Sequence, residues 1–196
     1  MDNKNIFTSK GKVTDDERHQ LLKQKGFVVW LIGRSGSGKS TIGIELEKLL
    51  TEHGYLVYRI DGDNIRQGLC SDLGFSKADR MENIRRIAEV AKLLCELGII
   101  VIVCTISPLA AMRSQARAIV GKNNYSEVYI NASYDCCLKR DTKGLYRKAE
   151  LGKIDDFINF DFEESELHNF SIDTEKENIQ ESVHKVLEYI NIIINK

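Results

Sequence analysis

Residues 27–40 decide the fold: Phe27-Val28-Val29-Trp30-Leu31-Ile32, then Gly33-Arg34-Ser35-Gly36-Ser37-Gly38-Lys39-Ser40. The first six form an unbroken apolar run, the pattern of a strand buried on both faces of a parallel sheet. The next eight match G-x-x-x-x-G-K-[ST] at every fixed position. Beyond them Ile42, Leu46, Leu49 and Leu50 recur at helical spacing until His53 and Gly54 end the element. A strand, a glycine-rich turn and a helix in that order make a phosphate cradle. Glycines let successive backbone N–H groups curl inward, and the positive end of the helix adds to the attraction. Residues 33–41, Thr41 included, are therefore expected to bind ATP. Lys39 reaches the β- and γ-phosphates in such a loop, and the Ser40 hydroxyl holds Mg²⁺.

Working outward, the strand–helix alternation continues. Strands are expected at 56–60, 99–104 and 127–131, and helices at 80–97 and 109–120. The first of these helices carries Ile84, Ile87, Ala88, Ala91 and Cys95 on one face. Val183, Val186, Leu187 and Ile190 mark a C-terminal helix. Such alternation predicts an α/β fold of three layers, α/β/α, around a mainly parallel sheet with right-handed crossovers. Ligands then sit outside the carboxyl ends of the strands. Thr14 and Glu17 stand at capping-box spacing, so residues 1–25 read as an extension with a short helix ahead of a P-loop domain at 26–196. The charged, irregular stretch at about 141–170 reads as a lid.

Bulk properties narrow the class. The 28 lysines and arginines balance 29 acids, which leaves no net field for nucleic acid or an anionic membrane surface. The longest apolar run, 97–106, is too short to span a bilayer, and the polar N-terminus lacks a signal-peptide core; a cytoplasmic location is expected. Five cysteines without metal-ligand spacing read as free thiols.

A nucleotide cradle alone does not separate a kinase from a switch or a motor. No stretch after residue 62 resembles an NKxD guanine-reading motif, and 196 residues leave little room for a second domain. A small-molecule kinase is favoured. Asp61-Gly62-Asp63-Asn64-Ile65-Arg66 follows the second strand and brings two carboxylates and a guanidinium to the same sheet edge. One acid suits Mg²⁺, here Asp61, and the other suits a hydroxyl proton during phosphoryl transfer. Arg80, Arg85 and Arg86 are candidate oxyanion contacts, because guanidinium forks bind such groups bidentately.

The string DGDNIRQGLCSDLGFSKADRMENIRRIAEVAKLL, preceded by GRSGSGKST and followed by ISP and RDTKGLYRKA, closely resembles the adenylylsulfate (APS) kinase family over residues 14–154. The resemblance implies transfer of the ATP γ-phosphoryl group to the ribose 3′-hydroxyl of adenylylsulfate. It implies that Asp63 is the base or metal-linked carboxylate, that Arg66, Arg80 and Asn83 hold the phosphosulfate and ribose, and that Phe75 and Phe157 clamp the adenine. Ile106 and Ser107 belong to the family's ISP segment, where Ser107 is assigned a contact role more readily than a covalent one. Lys143 lies in the family's lid and neutralises charge on the transferred group, while Arg140 packs near the ATP base. Relatives are commonly dimers, so a homodimer is among the assemblies implied.

The sequence departs from the family in two places. Relatives usually continue past the lid with FTGI and a PYE-like stretch; here Phe157 is followed by Ile158 and Asn159, with no proline and several acids. Arg34 stands where relatives mostly carry leucine. Two alternatives therefore stay open: a kinase of another modified nucleotide, and a non-catalytic ATP-binding partner of ATP sulfurylase.

Overall fold

The computed structural model describes residues 7, 9, 11–153, 162–165 and 168–194. Its first helix, α1 (Asp15–Leu22), begins on the expected capping box: the Thr14 N–H donates to Glu17 Oε2 at 2.7 Å and the Glu17 N–H to Thr14 Oγ1 at 3.2 Å. The chain continues through β1 (Phe27–Ile32), α2 (Lys39–Glu52), β2 (Val57–Asp61), α3 (Gly62–Ile65), α4 (Lys77–Glu96) and β3 (Ile100–Cys104). After these come α5 (Ala110–Val120), β4 (Tyr125–Asn131), α6 (Tyr134–Arg140), α7 (Leu145–Glu150), β5 (Phe170–Asp173) and α8 (Ile179–Ile194).

The strands form one sheet in the order β2-β3-β1-β4-β5, and every pairing is parallel. With β1 flanked by β3 and β4, the chain reverses its lateral direction at β1, which places the ligand crevice beyond that strand. Register brings the chemistry level: Leu31 lies opposite Cys104, and Cys104 opposite Asp61. The segments leaving β1, β3 and β2 therefore emerge side by side.

The alternation of β1 explains its unbroken apolar sequence. Val28, Trp30 and Ile32 pack with Val101 and Val103 against Ile84, Ile87 and Ala91 of α4 and Met112 and Ala116 of α5. Val29 and Leu31 face the other way, with Ile100, Ile102, Val128 and Ile130, against Leu46 and Leu50 of α2 and Val183, Val186 and Ile190 of α8. Burial of each large aliphatic side chain contributes about 1.5–3 kcal/mol, so both helical layers are held firmly behind the site.

Sequence reading did not anticipate β5, nor the short helices α3, α6 and α7. Only Ile172 of β5 is buried, so a four-residue edge strand leaves almost no periodic signal. All five cysteines are free thiols. Among the described residues no helix is long and apolar enough to cross a membrane.

Candidate active site

The loop between β1 and α2 is shaped by its carbonyls. Lys39 Nζ donates to the Gly33 carbonyl at 2.8 Å and to the Arg34 carbonyl at 2.6 Å. The Ser35 carbonyl accepts the Tyr146 hydroxyl at 2.9 Å, the Gly36 carbonyl accepts Arg140 Nη1 at 3.4 Å, and the Ser37 carbonyl accepts the Thr174 hydroxyl at 3.0 Å. Successive carbonyls of residues 33–37 are thus engaged by side chains. Gly33 permits this path: its φ is 149°, and a Cβ there would lie 2.4 Å from the Ile130 carbonyl oxygen. No side chain caps α2 at Gly38, so the first N–H groups of that helix remain available to an anion. Burial holds the Lys39 ammonium down at about 8, against an ordinary value near 10.5.

At the end of β2, Asp61 caps α3 through Oδ1, which accepts the Asp63 N–H at 3.0 Å. Its Oδ2 accepts the Ser40 hydroxyl at 2.8 Å. Mg²⁺ is held by one or two protein oxygens together with water and phosphate oxygens, and this hydroxyl–carboxylate pair at the foot of the cradle fits it. One turn on, Asp63 forms an ion pair with Lys143, which approaches from the loop ahead of α7.

A cleft of about 750 Å³ joins these groups; Ser35 to Thr41, Asp61, Asp63, Arg140 and Lys143 line it, together with Arg66, Phe75, Arg80, Asn83, Ile106 and Ser107. Among the lining residues Phe75 is half exposed and lies near two guanidinium groups, with Arg66 Cζ 4.4 Å and Arg80 Cζ 5.3 Å from the ring centroid. Arg80 Nε also donates to the Phe75 carbonyl at 2.7 Å, which fixes the backbone under the ring. Asn83 is buried in the wall, and its Oδ1 has no hydrogen-bond partner among the described residues. A buried acceptor without a donor is costly, and here it lies at the edge of a ligand-sized space.

Ser107 follows β3 with φ of 46°, a left-handed conformation unusual for serine. Its buried hydroxyl accepts the Trp30 indole N–H at 2.9 Å and shares a hydrogen bond with Thr105. Arg113 Nη1 donates to the Ser107 carbonyl at 3.0 Å and the Pro108 carbonyl at 3.2 Å. Behind it, the buried Glu127 takes Arg113 Nε at 3.5 Å and the Ser165 hydroxyl. Sequence reading missed this network, although Glu127, the one charged residue of β4, was its signal.

Other expected contacts lie elsewhere. The Gly33 and Arg34 side of the loop does not line the cleft; Arg34 Cζ sits 5.2 Å over the Phe162 ring, and Phe162 stacks on Tyr129. Arg34 thus covers Phe162 in the acidic segment past the lid. Arg85 pairs with Glu82 and Glu89, and Arg86 with Glu82 and Asp72, so both are engaged on the α4 surface. These guanidinium groups, Arg85 first, hold Glu82 down at about 2. Arg140 Nη2 donates to the Thr174 carbonyl at 2.7 Å, which ties α6 to the turn after β5. Phe157 lies outside the described residues, as does part of the expected lid. Tyr146 and Thr174 were not anticipated; each acts through a backbone carbonyl, which leaves no sequence motif.

Comparison with known proteins agrees with this geometry. The family model described as Adenylylsulphate kinase matches residues 25–173. The chain is 46% identical over 195 residues to an adenylyl-sulfate kinase of Clostridium acetobutylicum, covering 97% of each chain. It is 45% identical over 192 residues to an adenylyl-sulfate kinase of Bacteroides fragilis, covering 96% of this chain and 95% of that one. The APS kinase of Mycobacterium tuberculosis, solved in complex with AMPPNP and APS, superposes with a TM-score of 0.82 at 39% identity, covering 86% of this chain and 99% of the other. On the strength of cradle, carboxylates and whole-length similarity together, the chain belongs to the adenylylsulphate kinase family.

Proposed function

We propose that this kinase transfers the γ-phosphoryl group of ATP to the 3′-hydroxyl of adenosine 5′-phosphosulfate, giving 3′-phosphoadenosine 5′-phosphosulfate and ADP. The observation that carries the proposal is the shared cleft: Lys39 and its loop, Phe75, Arg66, Arg80 and Asn83, and the Asp63–Lys143 pair all line one space.

The roles follow from these positions. Loop amides and Lys39 hold the β- and γ-phosphates, and Arg140 flanks the nucleoside. Phe75 offers a face to the acceptor adenine while Arg66 and Arg80 meet its anionic phosphosulfate. Asn83 Oδ1 accepts a ribose hydroxyl, and Ser107 shapes the wall beside it. Asp63 takes the 3′-hydroxyl proton as that oxygen bonds to the γ-phosphorus and the bond to the ADP oxygen breaks. Lys143, released from Asp63 as the carboxylate turns to the hydroxyl, neutralises charge on the transferred group. Ser40 and Asp61 would hold Mg²⁺, which supplies charge neutralisation across the β- and γ-phosphates when bound. A covalent phosphoserine is unnecessary to in-line transfer, and the Ser107 hydroxyl is engaged by Trp30 and Thr105.

One observation favours a second reading, a kinase of another modified nucleotide. Glu163 Oε2 accepts the Ala110 N–H at 2.6 Å, and the Glu163 N–H donates to the Pro108 carbonyl at 2.9 Å. That puts a carboxylate beside the Ser107–Pro108 wall, where an anionic acceptor is repelled. ADP release across a nucleotide panel separates the readings. Turnover with adenylylsulfate, reduced in kcat far more than in ATP affinity by Asp63→Asn, supports the first. Turnover of another nucleotide with adenylylsulfate inert overturns it.

A further inference from the structure

β2 sets Arg59 and Asp61 two residues apart, so both side chains leave the same face of the strand, toward α2. The helix makes room there. A Cβ on Gly43 would lie 3.2 Å from Arg59 Cδ and 2.4 Å from Cys104 Sγ, so glycine clears the path of the arginine stem. Arg59 Nη1 then donates to Asp61 Oδ2 at 3.1 Å, the oxygen that also accepts the Ser40 hydroxyl at 2.8 Å. Glu47 draws on the same guanidinium from behind: its Oε2 lies 3.4 Å from Arg59 Nε, and its Oε1 accepts the Arg59 backbone N–H at 2.9 Å. The Arg59 and Asp61 side chains are only 16% and 11% exposed, so water screens their attraction poorly.

From this arrangement we infer that Arg59 is an internal competitor of Mg²⁺ for Asp61, with Glu47 as the counterweight that draws it away when metal and nucleotide enter. The inference rests on the assignment of Ser40 and Asp61 to the metal. Both Asp61 oxygens are already engaged by protein donors, so a divalent cation at Oδ2 must displace one of them. The guanidinium is the displaceable one, because Glu47 offers it a second carboxylate within reach. Arg59 does not line the cleft. It is a positioning residue that sets the Mg²⁺ concentration at which the nucleotide is gripped.

The test is calorimetric binding of AMPPNP to the full chain over a Mg²⁺ series, a readout without turnover. Arg59→Leu should lower the Mg²⁺ concentration for half-maximal enhancement at least about tenfold, since tenfold is the effect of removing a single positive charge about 6 Å from a divalent ion under full water screening and the screening here is weaker. Arg59→Gln, which keeps a donor without the charge, should shift it the same way if Arg59→Leu folds poorly by circular dichroism. Glu47→Gln should shift it the opposite way, because Arg59 then has Asp61 alone. An unchanged or raised midpoint in the folded Arg59 variants overturns the inference. A wild-type affinity indifferent to Mg²⁺ instead removes the metal assignment beneath it, and the wild-type titration alone distinguishes that failure.

Discussion

Replacing Glu127 by alanine removes the anion at the centre of the network behind Ser107. Glu127 is 2% exposed and Arg113 is 5% exposed, so truncation leaves a guanidinium buried beside β4 without its carboxylate. Breaking a buried pair from one side costs about 3–5 kcal/mol. The Ser165 hydroxyl loses its acceptor in the same step. For a chain of this length each kcal/mol moves the melting temperature by about 2–4 °C, so Glu127→Ala should melt roughly 10 °C below wild type in a thermal scan followed by circular dichroism. The double variant Arg113→Met with Glu127→Leu should recover most of that stability, since apolar replacement of a buried pair is often neutral or better. It should not recover the acceptor site, because replacing Arg113 takes away the donor that holds the Ser107 and Pro108 carbonyls. The expected signature is near-native melting with a raised KM for adenylylsulfate. A Glu127→Ala loss under about 1 kcal/mol would show that water solvates the orphaned guanidinium, and would refute the reasoning.

Nucleotide binding should take up protons at about pH 9, because phosphates favour the charged Lys39 whose free-enzyme value is about 8. Calorimetry of AMPPNP in buffers of different ionisation enthalpy reads this directly, and Lys39→Met should abolish it; no uptake by the wild type contradicts the buried ammonium. The same lysine gives the stability profile a sign. Its folded value lies below the unfolded 10.5, so the unfolded chain binds more protons between about 8 and 10.5, and the Lys39 contribution to stability rises with pH through that window. Phe75→Ala should raise the KM for adenylylsulfate about tenfold, from a stacking loss of about 1–3 kcal/mol, with a smaller change in kcat; an unaltered KM removes Phe75 from the acceptor site.

Much of the fold was legible because its signals are local. The run at Phe27–Ile32, the cradle motif and the periodic faces of α2, α4 and α8 each carry their meaning within a few residues. The DGD stretch was legible for the same reason, since the Asp61 cap fixes the Asp63 backbone within one turn. What escaped reading acts across the chain. Thr174 supports Ser37 over 137 residues, and Tyr146 supports Ser35 over 111, each through a backbone carbonyl that no side-chain pattern announces. Arg59 carries no sign of its place in the letters of β2, because the space for its stem is left by Gly43 on α2. The post-lid departure was legible as a change of letters, but not its placement: Phe162 under Arg34 and Glu163 against Pro108 follow from pairings between distant segments.

Trp30 is the chain's single tryptophan, and its indole N–H is bonded to a hydroxyl on the cleft wall. The protein therefore carries one indole fluorophore, excitable apart from its seven tyrosines and shielded from solvent in the middle of the sheet, whose emission answers to the hydrogen bond it shares with Ser107. Cleft loading that disturbs Ser107 should therefore change the tryptophan emission of the unlabelled enzyme.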